Sequence, residues 1–583
     1  MPHLRRLFAV VALALMAAPL LASAPLFDPD EGLHAAIAQE MVQRGDYVTP
    51  TFRGEPFLDK PILFFWAEAA SLRLFGHNAA AVRVPPLLFG LLGMLSVALL
   101  GRALFSESSG LIAGIVYGTM LLPMGLSEVA VHDVGVVPFM CLAAWCLVRA
   151  DLVASAPTTP VASAFRRKIV TRRKIVIYAI TAGIALGLSI LTKGLVVIVF
   201  TGIFAVCLTI RRPAAWMRLA TVLTIAVIIA LLVAAPWYIA MERAHPGYLH
   251  YYFVERHLQG YLTATQRHAG RPVWYYVPIV LGGALPWTGY LVGALWSTLR
   301  VSLVSPEPWR RRMLWGWFAI GLVFLSIGES KLVTYALPLF PALALIVGEY
   351  VDRVSNAGFR DLPPESRGFR PVATEPRSFR LQAEDRWFKF GFAVHVMTMA
   401  LLPAFGLLIL QWKFNAIHPY LWMSLVVFSL LAIDAGRRAA RSTSEYGFLA
   451  GVVRMTLYTI VAMMIVAPRA AAWMTSRDLA ATLNSGGTLP PRVWVLDERI
   501  GSLIFYLDPP LRAEATRDRV DVTSFPEAMT RLRVDAPDAV FAVRNNQLPR
   551  FNRMFPSPPA ADARAGTFTL FRADTLRAAI GAR

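Results

Sequence analysis

"FRRKIVTRRKIVIYAITAGIALGLSILTKGLVVIVF", residues 165–200, puts six basic residues in its first ten positions and then turns apolar. The apolar part, broken only by Lys193, reads as two membrane spans, at about 175–192 and 194–210. The basic run reads as a cytoplasmic anchor facing anionic lipid. Eleven further stretches have span length: 7–27, 84–104, 110–127, 134–150, 217–240, 273–298, 312–328, 332–350, 389–410, 419–434 and 446–467. The expected fold is therefore an all-α polytopic membrane protein with about thirteen transmembrane helices. The pairs around Lys193 and Lys331 read equally as tight hairpins or as long kinked segments.

Composition agrees. The 583-residue chain is 56% hydrophobic and 16% charged, against about a quarter charged in soluble proteins. With the N-terminus in the cytoplasm, the cytoplasmic segments hold 28 Lys/Arg against 11 Asp/Glu, and the opposite loops 11 against 13. This positive-inside asymmetry accounts for the net charge of +20 without a nucleic-acid partner. Residues 1–24 also carry marks of a secretory signal, with Arg5, Arg6 and "ASA" at 22–24; a retained first helix is the favoured reading. Cys141, Cys146 and Cys207 lie in apolar runs and suggest no disulfide framework or metal cluster.

An odd number of spans sends the C-terminus outside. Residues 1–467 are then a transmembrane domain with an outer loop at 28–81, a lid loop at 241–272 and a cytoplasmic loop at 351–389. Residues 468–583 carry short β-branched runs between turns, such as "RVWVLDERIGSLIFYLD" (492–508), and read as a small periplasmic α/β domain.

The outer loop opens "FDPDEGLHAAIAQEMVQRGDYVTP" (27–50). Leu33, Ile37 and Met41 share a helical spacing, as do Ile62, Trp66 and Ala69, so two amphipathic helices are expected, lying flat at the interface. Asp30 and Glu31 then start a helix on a water-exposed rim. Taken singly, Asp30 is a cap and Glu31 a dipole partner, and a lone outer lysine is a snorkelling side chain. Taken together, Lys60, Asp133, Lys193, Lys331 and Tyr335 all fall at span ends on one face. Ionisable groups at membrane depth are functional candidates. Lysines there suit a lipid phosphate, most of all one that must leave, and a carboxylate suits removal of a proton from an attacking hydroxyl. "YYFVERHLQGYLTATQRHAGRPVWYYVP" (251–278) adds His257, Arg267 and His268 on a loop placed to cover the site.

"DPDEGLHAAIAQEMVQRGDYVTPTFRGEPFLDKPILFFW" resembles the first outer loop of the aminoarabinose (lipid A) transferases and the related dolichyl-phosphate-mannose protein mannosyltransferases, the type C glycosyltransferases. "LTKG", "QRHAGRPVWYYVPIVLGGALPW" and "SKLVTYALPLFPALAL" are similar to later blocks, in order, over roughly residues 8–350. The resemblance implies a GT-C architecture and an inner-membrane glycosyltransferase, active on the periplasmic face and expected as a monomer. It implies a polyprenyl-phosphate sugar as donor, a lipid A-like glycolipid as acceptor and membrane lipids as surroundings. By motif, Asp30 and Asp133 are the catalytic carboxylates. Glu31, Lys60, Lys193, His257, Arg267, Lys331 and Tyr335 contact substrates, with Lys60 holding the donor phosphate. No cofactor is required by a motif; Asp59 and His257 are the candidates for a divalent metal contact. Leu33 and His34 stand where the family usually has Arg-Tyr, and Gly260 where it often has Arg. The alternatives are a protein O-mannosyltransferase-like enzyme and a transporter or flippase of lipid-linked sugars. A transporter would favour charges at mid-membrane and inverted repeats, and the sequence shows neither.

Overall fold

The structure is a computed structural model that describes residues 2–21, 24–155, 164–210, 213–263, 270–301, 309–360, 379–414, 419–442 and 445–581. In chain order, the membrane part begins with α1 (Pro2–Leu21), α2 (Asp30–Arg44), a hairpin of β1 (Thr51–Phe52) and β2 (Glu55–Pro56), α3 (Leu63–Phe75), α4 (Ala79–Leu104), α5 (Glu107–Thr119) and α6 (Leu121–Ser127). It continues with α7 (Val136–Ala154), α8 (Ala164–Lys193), α9 (Val196–Thr209), α10 (Pro213–Ala244), α11 (Gly260–Leu262), α12 (Tyr276–Gly283) and α13 (Thr288–Val301). It closes with α14 (Trp309–Ile327), α15 (Phe340–Arg360), α16 (Phe379–Phe414), α17 (Pro419–Ala440) and α18 (Glu445–Ala472).

Among the described residues, seven helices are long and apolar enough to cross a membrane, and bent pairs bring the number to nine. The bent pairs are α5 with α6, turned by 68°, and residues 273–283 with α13, turned by 107°; 110–127 and 273–298 are thus broken helices, not the straight spans expected. The expected spans at 194–210, 312–328 and 419–434 are helical too, as α9, α14 and α17, and the span expected at 7–27 is helical as α1 up to Leu21, with residues 24–27 outside it. Gly194, at φ +86°, ends α8 and makes the break at Lys193 a tight turn. Long helices pack through small residues. A Cβ on Gly110 would lie 2.4 Å from Ala98 O, and one on Gly183 would lie 2.6 Å from Ala226 O, so glycine sets the approach of α4 to α5 and of α8 to α10.

The C-terminal α/β part holds α19 (Arg477–Ser485), β3 (Val493–Leu496), α20 (Gly501–Tyr506), α21 (Pro509–Glu514), β4 (Val520–Thr523), α22 (Phe525–Val534), β5 (Val540–Arg544), α23 (Leu548–Asn552), β6 (Ala563–Ala565), β7 (Phe568–Arg572) and α24 (Ala573–Gly581). Its sheet has the order β4-β3-β5-β7-β6. β3 runs parallel to β4 and β5, and β7 antiparallel to β5 and β6. Alternation along β3 feeds two cores: Val493 and Val495 face one, Trp494 and Leu496 the other. The first of these cores is continuous with the membrane part, since it also takes in Ala35, Ala36 and Ala38 of α2 and Phe64 of α3.

That shared core corrects the expectation for the outer loop. α2 does not lie flat with one wet face: Glu31, His34, Ala35, Ile37, Ala38 and Gln39 are all buried, because α3 and α20 pack against it. The "GDYVTPTFRGEP" connection folds back as the β1–β2 hairpin, with Arg53 and Gly54 at positive φ in its turn. The polar loop expected at 351–389 is helical where described, α15 running on to Arg360 and α16 starting at Phe379.

Candidate active site

A cavity of about 490 Å³ opens where the C-terminal ends of α8 and α14 meet the start of α9 and residues 252–262. Its charged and polar lining comes from Asp59, Lys60, Asp133, Lys193, Arg256 and His257, with Tyr335 beside them. The rest of its lining is largely apolar and includes Val196, Val199, Leu262, Phe324 and Leu325. Four separate pieces of chain supply Lys60, Asp133, Lys193 and Tyr335. Lys60 sits in the loop from β2 to α3, ahead of Pro61. Asp133 sits in the 3-10 turn His132–Gly135. Lys193 is the last residue of α8. Tyr335 sits in the 3-10 turn Val333–Leu339 that leads into α15.

Lys193 Nζ donates to Asp133 Oδ2 at 2.7 Å and lies 4.8 Å from the centre of the Tyr335 ring, within cation–π range. Burial pushes Lys60 down to about 8, with Lys193 as the next cause; Asp133 and Asp30 oppose. Asp30 is exposed at the start of α2 and does not line the cavity, but its charge reaches Lys60, Lys193 and His34. It is not a helix cap either: that position belongs to Pro29, with no side-chain bond.

The segment expected as a lid is, where described, a π-helix, His250–Gln259, followed by α11. Gly194 accommodates it, because a Cβ there would lie 2.6 Å from His257 Nε2. Arg256, which the sequence reading passed over, lines the cavity and pairs with Asp59 at 3.5 Å. The same test applied to Lys60, a cation on the face poor in cations, would have found it.

Other expected site residues fall elsewhere. Glu31, expected to contact substrate, is fully buried and ion-paired to Arg83 at 2.8 Å. Lys331 is buried with Nζ 3.3 Å from Arg271 O and does not line the cavity. Arg267 and His268 lie outside the described residues. The metal expectation does not fit these side chains. Asp59 accepts from Tyr251 Oη at 2.6 Å as well as pairing with Arg256, and His257 Nδ1 lies 2.7 Å from Tyr252 O. Among the described residues no three His, Cys, Asp or Glu side chains come together to hold a metal ion. His34 is also unlike an exposed acceptor contact. It is buried in a box with Phe64, Phe65 and His132, its ring 4.5 Å from that of His132, and burial holds it down at about 4.

Cations gathered beside carboxylates at a cavity, on a bundle of long and bent apolar helices with a C-terminal α/β part, describe a polytopic membrane protein with a charged site. Residues 59–239 match the family described as dolichyl-phosphate-mannose-protein mannosyltransferase. The chain is 31% identical over 326 residues to undecaprenyl phosphate-alpha-4-amino-4-deoxy-L-arabinose arabinosyl transferase 2 of Proteus mirabilis, covering 56% of this chain and 55% of that one. It is 33% identical over 326 residues to the corresponding transferase of Aeromonas salmonicida, covering 55% of each. The chain thus spans about half the length of the curated relatives it matches. In fold the likeness is longer: ArnT from Cupriavidus metallidurans, solved bound to undecaprenyl phosphate, aligns over 97% of both chains with a TM-score of 0.68 at 22% identity. The sequence likeness to these transferases is confined to the matched region, and over its length the chain shares the fold of that solved structure.

Proposed function

We propose that this chain is a glycosyltransferase that moves one sugar from a polyprenyl phosphate to a lipid A-like glycolipid on the periplasmic face, by a single inverting displacement. The observation that carries the reading is the grouping of Lys60 and the Lys193–Asp133 pair at the head of an apolar cavity, with Asp30 in electrostatic reach. The apolar lining suits a prenyl chain, and the cations suit the phosphate it carries. The names of the relatives, which specify an undecaprenyl-phosphate sugar, support the donor class.

In this reading the acceptor hydroxyl attacks the anomeric carbon from the side opposite the phosphate. The new C–O bond forms as the bond from carbon to phosphate oxygen breaks. Asp30 takes the hydroxyl proton, and Lys60 with Lys193 stabilises the departing polyprenyl phosphate. Asp133 holds Lys193 in place. A flippase is the less favoured reading, because these charges sit at helix ends rather than along a path across the bilayer.

The test is Asp30→Asn in the full chain. Transfer should fall by about a hundredfold or more while binding of undecaprenyl phosphate persists, and the mass increment on extracted lipids should disappear. Undiminished transfer removes Asp30 from its role.

A further inference from the structure

Two glycines let α2 and α20 cross backbone to backbone. A Cβ on Gly32 would lie 2.3 Å from Ser502 N, and one on Gly501 would lie 2.3 Å from Leu33 N. Beside the crossing the buried carboxylate of Asp28 accepts from Ser502 N at 3.0 Å and from Ser502 Oγ at 2.5 Å. The Asp28 N–H donates to Met474 O at 2.8 Å.

The place where this happens is informative. β3 lies between β4 and β5 in the sheet. The chain leaves β3 through α20 and α21, which share the core of Val493 and Val495, and reaches β5 through α22, in the core on the opposite face. In open parallel sheets wound this way, the crevice at the carboxyl ends of such strands is where ligands bind, often by an anionic group. Here Glu498 follows β3 and Arg544 ends β5. Their side chains pair at 2.6 and 3.1 Å, and both act on Asp28. Arg544 also donates to Trp473 O at 2.6 Å. The crevice is filled by the chain itself, and Asp28 brings its carboxyl group there.

We propose that the outer α/β domain uses its ligand crevice to hold the segment entering α2, so that Asp28, Gly32, Gly501 and Ser502 are positioning residues for Asp30. This rests on the role given to Asp30 above. The diffusible ligand such a crevice ordinarily takes is replaced by the first outer loop, and the domain serves to aim α2 at the cavity.

The experiment uses full-length protein carrying Ser502→Ala, Ser502→Thr or Gly501→Ala. It measures turnover, binding of undecaprenyl phosphate, and hydrogen exchange of the amides at 30–34. Gly501→Ala and Ser502→Ala should lower kcat by about tenfold to a hundredfold, leave undecaprenyl phosphate affinity within about twofold and speed exchange in the first turn of α2. Ser502→Thr, which keeps the hydroxyl, should restore turnover. Ser502→Ala adds no bulk and carries the test if Gly501→Ala does not fold. Full turnover in both, whether or not exchange quickens, overturns the positioning role. Asp30→Asn run alongside separates the two ideas: loss of transfer there with full turnover in the crevice variants sinks only the positioning, whereas transfer surviving Asp30→Asn sinks the functional reading itself.

Discussion

Lys193 Nζ and Asp133 Oδ2 lie 2.7 Å apart, and each side chain is little more than a tenth exposed. They come from the end of α8 and the turn before α7, so the bond ties two helices together at the cavity wall. Removing one partner of such a pair leaves the other charge in a poor solvent, at a cost of about 3 kcal/mol. Asp133→Ala and Lys193→Met should each lower thermal stability clearly. The double variant should recover part of the loss while transfer stays abolished. Additive losses in a double-mutant cycle would mean the pair is not coupled.

Lys60 gives a pH prediction. Burial, with Lys193 next, lowers its ammonium to about 8, so the cation is lost as pH rises through that value. Binding of undecaprenyl phosphate should weaken above about pH 8. Lys60→Arg, which stays charged, should push that limb to higher pH even if its affinity is lower. A binding profile flat from pH 7 to 9.5 in the native chain would remove Lys60 from the phosphate site.

Glu31 and Arg83 make the opposite kind of prediction. Their bidentate pair is buried, and Arg83 also donates to the carbonyls of Ala24 and Pro25. Arg83→Leu should cost about 3 kcal/mol of stability. Glu31→Gln should lower stability while kcat of the folded fraction stays within about threefold of the native value. A selective loss of kcat in well-folded Glu31→Gln would return Glu31 to the substrate site.

Asp28 links stability to pH. Burial, with Glu498 adding and Ser502 and Arg544 opposing, raises its carboxyl to about 7 from an ordinary 3.8. The folded chain then holds the proton more tightly than the unfolded chain between those values, so this contribution to stability falls as pH rises from about 4 to about 7. Asp28→Asn cannot titrate. Melting of native and variant proteins from pH 4.5 to 8 should show the native chain losing stability relative to Asp28→Asn; parallel curves would count against the shift.

The membrane helices and the candidate cations were legible in the chain because each is a local signal. An apolar run of span length must be helical in lipid, since its backbone has no other hydrogen-bond partner, and an outer-face lysine stands out by itself. Lys60, Asp133 and Lys193 carried that signal, and folding brought them to one cavity. Glu31 carried it too, yet the fold gave it to Arg83. Adjacent residues on a helix point about a quarter-turn apart, so Asp30 and Glu31 look alike in sequence and face different surroundings. His257 packs against the end of α8 at Gly194, where a Cβ would not fit, and the same π-helix brings Arg256 to the cavity.

What the sequence determined by itself, then, was the polytopic helical class and the kind of chemistry its charges suit, because hydropathy and charge act residue by residue. What only the tertiary structure decided was which acids stay free and what holds them in place. Those depend on contacts across more than four hundred positions, such as Asp28 to Ser502, and close packing of that sort leaves no local trace in a chain.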